Sequence, residues 1–234
     1  REKAITQLQD FFAEAKAYTM APAKFDFNPR YESMKGLFDG TKQLFISSDY
    51  DKDIQEAIRW ARGLSIKHIV LITSSALELS ADYIKSENIP VIVNRVHRLP
   101  SRAEDDITQP FTTPKFLHDK GITFCLDYSG DMEAMGSRNL PFLAGTAVGF
   151  GLTEQAALQS ITLNSAKVLG IADRTGSIEV GKDANIIISK GNLFDISTHH
   201  ITHAFIQGRK VDLDNRQKQL MRKYSEKLSI APVE

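Results

Sequence analysis

Apolar residues along this chain recur first at helical spacing and then in short uninterrupted runs, and from residue 42 onward the two patterns alternate. Ile5, Leu8, Phe11, Phe12, Ala15 and Tyr18 share one face at a 3.6-residue period, which predicts an amphipathic helix over residues 2–19. A polar, Pro-containing loop follows, then a short helix near Arg30–Phe38. Strands are predicted at Lys42–Ser47, His68–Thr73, Pro90–Asn94 and Ile122–Leu126. Helices are predicted between them at Asp51–Leu64, Ala76–Glu87 and Thr113–Lys120, with Arg95–Thr112 as a long loop. Asp49 or Asp51 is available to cap the first of these helices, and Gly121 closes the third. Two more helices, Ser137–Phe150 and Thr153–Leu169, complete the series, the second opening on Thr153 in capping-box fashion.

Strands made of continuous apolar residues are expected in parallel sheets covered on both faces by helices. The connections are too long for hairpins, so each strand should run parallel to the next, in chain order, through a right-handed crossover. The fold class is therefore α/β. Four such units do not close an eight-stranded barrel, so residues 1–175 read as the C-terminal half of a (β/α)8 TIM-type barrel. Residues 176–213 read as strands of a small β-sandwich. There Ile186, Ile187 and Ile188 run without alternation and are expected to be covered on both faces, and Gly181 supplies a tight turn. Residues 214–234 form a charged tail, with an amphipathic helix carrying Leu220, Met221, Tyr224 and Leu228 as a surface or partner-docking element.

Charge and composition narrow the function. The 29 Lys and Arg residues balance 29 Asp and Glu residues, so nothing points to nucleic acid or an anionic membrane surface. No apolar run approaches the roughly 18 residues a membrane span needs. The single cysteine, Cys125, excludes an internal disulfide and a Cys-rich zinc site, and leaves the compartment open. The chain starts at Arg1 inside a helical pattern, without an initiator Met or signal peptide. It is expected to be a piece of a longer protein, with any targeting segment upstream and its localisation unreadable here.

The longest ordered motif is Gly176-Ser-Ile-Glu-Val-Gly-Lys-Asp-Ala-Asn-Ile-Ile-Ile-Ser189. It follows Leu163-Asn-Ser-Ala-Lys-Val-Leu-Gly-Ile-Ala-Asp-Arg174 and precedes a strand ending Gly208-Arg-Lys-Val211. This run resembles the C-terminal end of metal-dependent amidohydrolases, where a barrel helix hands the chain to a small sandwich. Asp127-Tyr-Ser-Gly-Asp131 with the helix over Ser137–Leu152 resembles the last-strand loop and helix of the imidazolonepropionase-like branch. Leu99-Pro100, Asp105 or Asp106, and Pro114 to Ile122 resemble its preceding loop and helix. The resemblance runs from about Lys42 to Leu213 and implies that the strands are the fifth to eighth of a barrel.

It also implies a chemistry. Amidohydrolases hold one or two divalent metals at the C-terminal ends of the strands, where a bound water loses a proton and attacks a carbonyl centre. The usual ligands are His-x-His on strand one, often a carbamylated Lys on strand four, His on strands five and six, and Asp on strand eight. The first two stations precede this chain. The other histidine stations read Ser47-Ser48-Asp49 and Thr73-Ser74-Ser75, and a serine hydroxyl does not replace imidazole. No metal ligand is therefore assigned within the chain, and zinc is expected only through the full-length protein.

Asp127 or Asp131 is the candidate catalytic carboxylate, and either could instead cap a helix or bond a loop N–H. Ser47, Asp49, Ser74, Arg95 and His97 are candidates for a polar pocket that binds a small-molecule substrate. Arg138 opens the last barrel helix, where it could bind an anion or fix the preceding loop. His68, His118, His199, His200 and His203 fall away from that rim, and the adjacent rings of His199 and His200 point to opposite sides of an extended chain.

Two functions remain. One is a hydrolase of non-peptide C–N bonds in cyclic amide-type substrates, using metal ligands supplied by the N-terminal half. The other is a catalytically degenerate barrel that binds a small ligand or an active partner. Either requires association with the N-terminal half or self-association to cover the open strand edges.

Overall fold

Leu44 lies opposite Ile69, Leu71 opposite Val91, and Val91 opposite Phe124, so four strands run parallel and side by side in the order in which they occur along the chain. They are β1 (Leu44–Ser47), β2 (Ile69–Thr73), β3 (Val91–Val93) and β4 (Phe124–Leu126). The computed structural model describes residues 2–21, 26–100, 104–130 and 132–229. Around the sheet stand α1 (Glu2–Met20), α2 (Pro29–Asp39), α3 (Asp51–Gly63), α4 (Ala81–Ser86), α5 (Gln109–Asp119), α6 (Glu133–Gly136), α7 (Leu140–Gly149), α8 (Glu154–Ser160) and α9 (Leu163–Val168), with a 3-10 turn over Ser137–Asn139.

The expected strand–helix order holds, and the apolar periodicity explains it. Ile54 and Ile58 on α3, Leu71 on β2, Val91 on β3, Leu117 on α5 and Leu143 on α7 are fully buried in one core. Truncating any of the larger ones to alanine should cost about 2–5 kcal/mol. Phe12 of α1 meets Trp60 of α3 edge-on at 4.9 Å, which holds the first helix to the layer around the parallel sheet.

Several element ends differ from expectation. Neither Asp49 nor Asp51 caps α3. Its cap position is Tyr50, which makes no side-chain bond there, and Asp49 is engaged with the loop after β2. Helix α4 begins at Ala81 rather than Ala76 because Leu77 sits at φ 62°, outside helical geometry. Helix α5 begins at Gln109, four residues before the expected Thr113, because Pro110 suits the first turn, where its missing N–H is not needed. The two long helices after β4 are broken. The first divides around Ser137–Asn139, and the second at Ile161–Thr162, where Thr162 leaves helical φ/ψ. Thr153 caps α8 through the Ala156 N–H at 3.2 Å, without the reciprocal bond of a capping box, since Ala156 has no polar side chain.

A second sheet of three antiparallel strands follows: β5 (Ile186–Ser189), β6 (Ile201–Ile206) and β7 (Arg209–Lys210). Ile187 and Ile188, whose side chains point to opposite faces of the strand, are 51% and 48% exposed, so neither face is covered as expected. Gly181 does adopt positive φ (92°) in its turn. The connection between β5 and β6 returns to the helices beside the parallel sheet: Phe194 joins the main core and Asn192 Nδ2 donates to Glu154. The last helix, α10 (Arg216–Leu228), is capped by Asn215 and buries no residue. Its base is held by Asp214, which accepts from Arg222 and Gln219.

Candidate active site

Parallel pairing puts the C-terminal ends of β1 to β4 on one rim, and each end carries a polar residue that bonds to the next. Asp49, after β1, accepts on Oδ1 from the Ser74 N–H at 2.5 Å and from Thr73 Oγ1 at 3.4 Å. Ser74, after β2, accepts on Oγ from Asn94 Nδ2 at 3.1 Å. Asn94, after β3, accepts on Oδ1 from Ser129 Oγ at 3.2 Å. Asp127, after β4, accepts on Oδ1 from the Ser129 N–H at 3.1 Å, with Ser129 Oγ 2.9 Å away. The result is one hydrogen-bonded chain across all four strands, with a carboxylate at each end. Asp127 Oδ2 takes no bond among the described residues.

Arg98 braces the middle of this chain. Its Nη2 donates to the Ser74 carbonyl and its Nη1 to the Leu99 carbonyl. Burial lowers its pKa from the usual arginine range, while Asp49 and Asp105 oppose that shift. The Arg95 guanidinium lies over the Tyr128 ring, 5.0 Å from its centre. It also lies against Gly130, where a Cβ would come within 2.8 Å of Nη2 and where φ is +107°, so only glycine fits without strain.

His97 Nε2 stands 2.6 Å from Thr146 Oγ1 on α7. Thr146 Oγ1 also lies 3.1 Å from the Phe142 carbonyl oxygen, one turn back on α7. Burial first, and the charge of Arg95 second, push the His97 pKa below the ordinary histidine value.

Of the residues singled out from sequence, Asp49, Ser74 and Asp127 are brought together, and Arg95 and His97 flank them. Ser47 is not. It lines an apolar cleft of about 510 Å³ between α1 and the β1 edge, beside Phe12, Phe45 and Trp60. Arg138 is exposed in the 3-10 turn and makes no hydrogen bond to Asp127 among the described residues. Asp131 lies outside the described residues. Ser129 was expected at this rim with the other serines, whereas Asn94 and Arg98 were missed. The only sequence signal was their place just past a strand end, which many loop residues share.

These strand ends do not fit a divalent metal centre. Their donors are two carboxylates separated by hydroxyls and a carboxamide, without imidazole, and Oδ1 of each carboxylate already accepts hydrogen bonds. No group of three or more His, Cys, Asp or Glu converges among the described residues. His199 instead packs on Phe142 and bonds the Ile196 carbonyl, and His203 bonds Thr202.

A sequence profile of the amidohydrolase family matches residues 31–211, more than half of the chain. The imidazolonepropionase of Flavobacterium psychrophilum is 28% identical over 154 residues, which cover 63% of this chain and 35% of that protein. The imidazolonepropionase of Syntrophobacter fumaroxidans is 42% identical over 66 residues, 28% of this chain and 16% of that one. Among solved structures, an amidohydrolase from Thermotoga maritima MSB8 superposes with a TM-score of 0.76 at 24% identity, over 88% of this chain and 55% of its own. The matched stretch thus spans about a third of the first of these relatives and about half of the solved structure. On the profile match the assignment is plain: the chain belongs to the amidohydrolase family.

Proposed function

We propose that this chain is the C-terminal part of a hydrolase that opens a non-peptide C–N bond in a small, cyclic amide-type substrate. The substrate class follows the likeness to imidazolonepropionases. The observation that carries the reading is the setting of Asp127 at the end of β4, with Oδ1 held by the Ser129 N–H and Oδ2 left to act. A carboxylate held in that way can take a proton from an attacking water and deliver it to the leaving nitrogen. Ser74, Asp49 and Arg95 offer hydrogen-bonding groups to the substrate's polar edge. Any divalent metal of the whole protein would draw its ligands mainly from outside these residues. The barrel part is proposed to cover residues 1–175, the sandwich strands 176–213 and the tail 214–234. No helix among the described residues is long and apolar enough to cross a membrane.

The test uses the full-length protein against a panel of cyclic amides, imides and imidazolones, following ring opening by absorbance and mass. Turnover that falls at least about a hundredfold in Asp127→Asn supports the reading, since removal of a general base costs on that order. Turnover indifferent to that change would sink the role of Asp127.

A second reading, a degenerate barrel that binds a small ligand without turning it over, is favoured by the hydroxyls that stand where imidazoles would be expected. Saturable binding of a panel member by calorimetry, with no product, would select it.

A further inference from the structure

We infer that Asn94 is the positioning residue of this rim: it fixes the Asp127 carboxylate by tying the Ser129 loop to the Ser74 loop. It occupies the end of the strand between β2 and β4, and neighbouring strands stand only about 4.8 Å apart, so one short side chain reaches both sides. A carboxamide also suits the place chemically, because it donates from one end and accepts at the other. Asn94 Nδ2 donates to Ser74 Oγ at 3.1 Å, and its Oδ1 accepts from Ser129 Oγ at 3.2 Å. Both groups lie near strand ends held by backbone pairing, since the Asn94 N–H donates to the Thr73 carbonyl at 3.0 Å and the Asp127 N–H to the Val93 carbonyl at 3.1 Å.

Ser129 is the joint in this arrangement. Its hydroxyl lies 2.9 Å from Asp127 Oδ1 and 3.2 Å from Asn94 Oδ1 and has one proton to give, and it is that proton on Asn94 Oδ1 that makes the tie. The Ser129 backbone N–H makes the bond to Asp127. The Ser129 loop therefore sets where Asp127 points, and Asn94 sets where that loop sits. Without Asn94 the turn between Asp127 and Ser129 loses its tie to β2 and β3 and opens more often. Asn94 need not touch substrate for this role.

The inference rests on the proposed hydrolase for its kinetic arm and is independent of it for its structural arm. The full-length protein would be compared with Asn94→Ala, Ser129→Ala and the double variant, each first checked for an unchanged melting temperature. If the wild type turns over a cyclic amide, Asn94→Ala should lower kcat about tenfold with KM changed less than about threefold, because misplacing a reacting group costs rate more than binding. The double variant should fall no further than Ser129→Ala alone, since residues acting through one link are not additive. Independently of turnover, hydrogen exchange at the Ser129 amide should speed up at least about fivefold in Asn94→Ala, as expected of a loop released from a tether. It should not change in Ser33→Ala, whose hydroxyl bonds Arg30 on α2. Should Asn94→Ala fail to fold, Ser129→Ala cuts the same link from the other side, and faster exchange of the residue 127–130 backbone is the readout. Unchanged exchange, or losses that multiply in the double variant, would overturn the inference. An inactive wild type whose Ser129 amide still responds to Asn94→Ala would count against the hydrolase and leave Asn94 in its role.

Discussion

Gly145 of α7 stands so close to the Phe194 carbonyl oxygen that a side chain on residue 145 would collide with backbone. The contact joins α7 to the connection between β5 and β6, where neither side can yield by turning a rotamer. Gly145→Ala should therefore destabilise the protein by about 2 kcal/mol, as overpacking does. Gly149, four residues on, has nothing within 4 Å of its Cβ position. Gly149→Ala should be neutral or stabilise by roughly 0.5–1 kcal/mol. Paired urea titrations would compare them, and equal effects would show that the close approach is misjudged.

His97 supplies a dependence on pH. Its folded pKa lies below the ordinary value because burial, and then Arg95, disfavour the charged ring. Between the folded pKa and about 6.5 the unfolded chain then binds more protons than the folded one. The contribution is complete above about pH 6.5 and is lost as the pH falls toward the folded pKa. Proton NMR of the ring should give a titration midpoint below that of a free imidazole, and the urea midpoint should fall between pH 7 and pH 5. A midpoint at or above the free value would contradict the burial of the ring.

Cys125 is buried in β4, and burial pushes its thiol up to about 11. The thiolate is the reactive form, so the native protein should resist iodoacetamide at pH 8 and react once unfolded by urea. Rapid modification of the native protein would mean that β4 opens far more often than its packing suggests.

Metal content is a separate expectation. Hydroxyls at Ser47, Ser48 and Ser74 do not substitute for imidazole, so this chain expressed alone should bind no stoichiometric zinc at neutral pH. Elemental analysis after purification without chelator decides it. One zinc per chain, lost on Asp127→Asn or His97→Ala, would require the site to be redrawn.

Association is expected at β1. Its burial alternates, with Phe45 41% exposed, and among the described residues its outer edge pairs with no strand. Helix α1 lies alongside and lines the cleft there with Ile5, Leu8 and Phe12. Light scattering of this chain at low micromolar concentration should show self-association that Phe45→Lys reduces. A clean monomer with slowly exchanging amides at Leu44–Ser47 would mean that α1 alone protects the edge.

The parallel sheet was legible in sequence because burial on both faces demands uninterrupted apolar runs, and Val70 and Leu71 meet that demand. Helix starts were less so. Leu77 takes a left-handed conformation that leucine rarely adopts, and no propensity foretells it. Ile186–Ile188 gave the pattern of a doubly covered strand, yet cover depends on what lies across from a strand, which its own residues do not record. The candidate site was half legible. Asp49, Ser74 and Asp127 could be placed by counting to strand ends, whereas the tie through Asn94 joins loops 20 and 35 residues away and exists only once the strands are aligned.

The sheet's strand order also bears on how the molecule assembles. Each strand adds to the one made just before it, β2 on β1, β3 on β2 and β4 on β3. Contacts between consecutive units keep loop closures short for a parallel sheet, which favours faster folding than distant pairings would. During synthesis β1, β2, β3 and β4 can therefore join one another in that order as the chain leaves the ribosome. The rim chain from Asp49 to Asp127 closes only when β4 arrives, so the polar face is the last part of the sheet to become rigid.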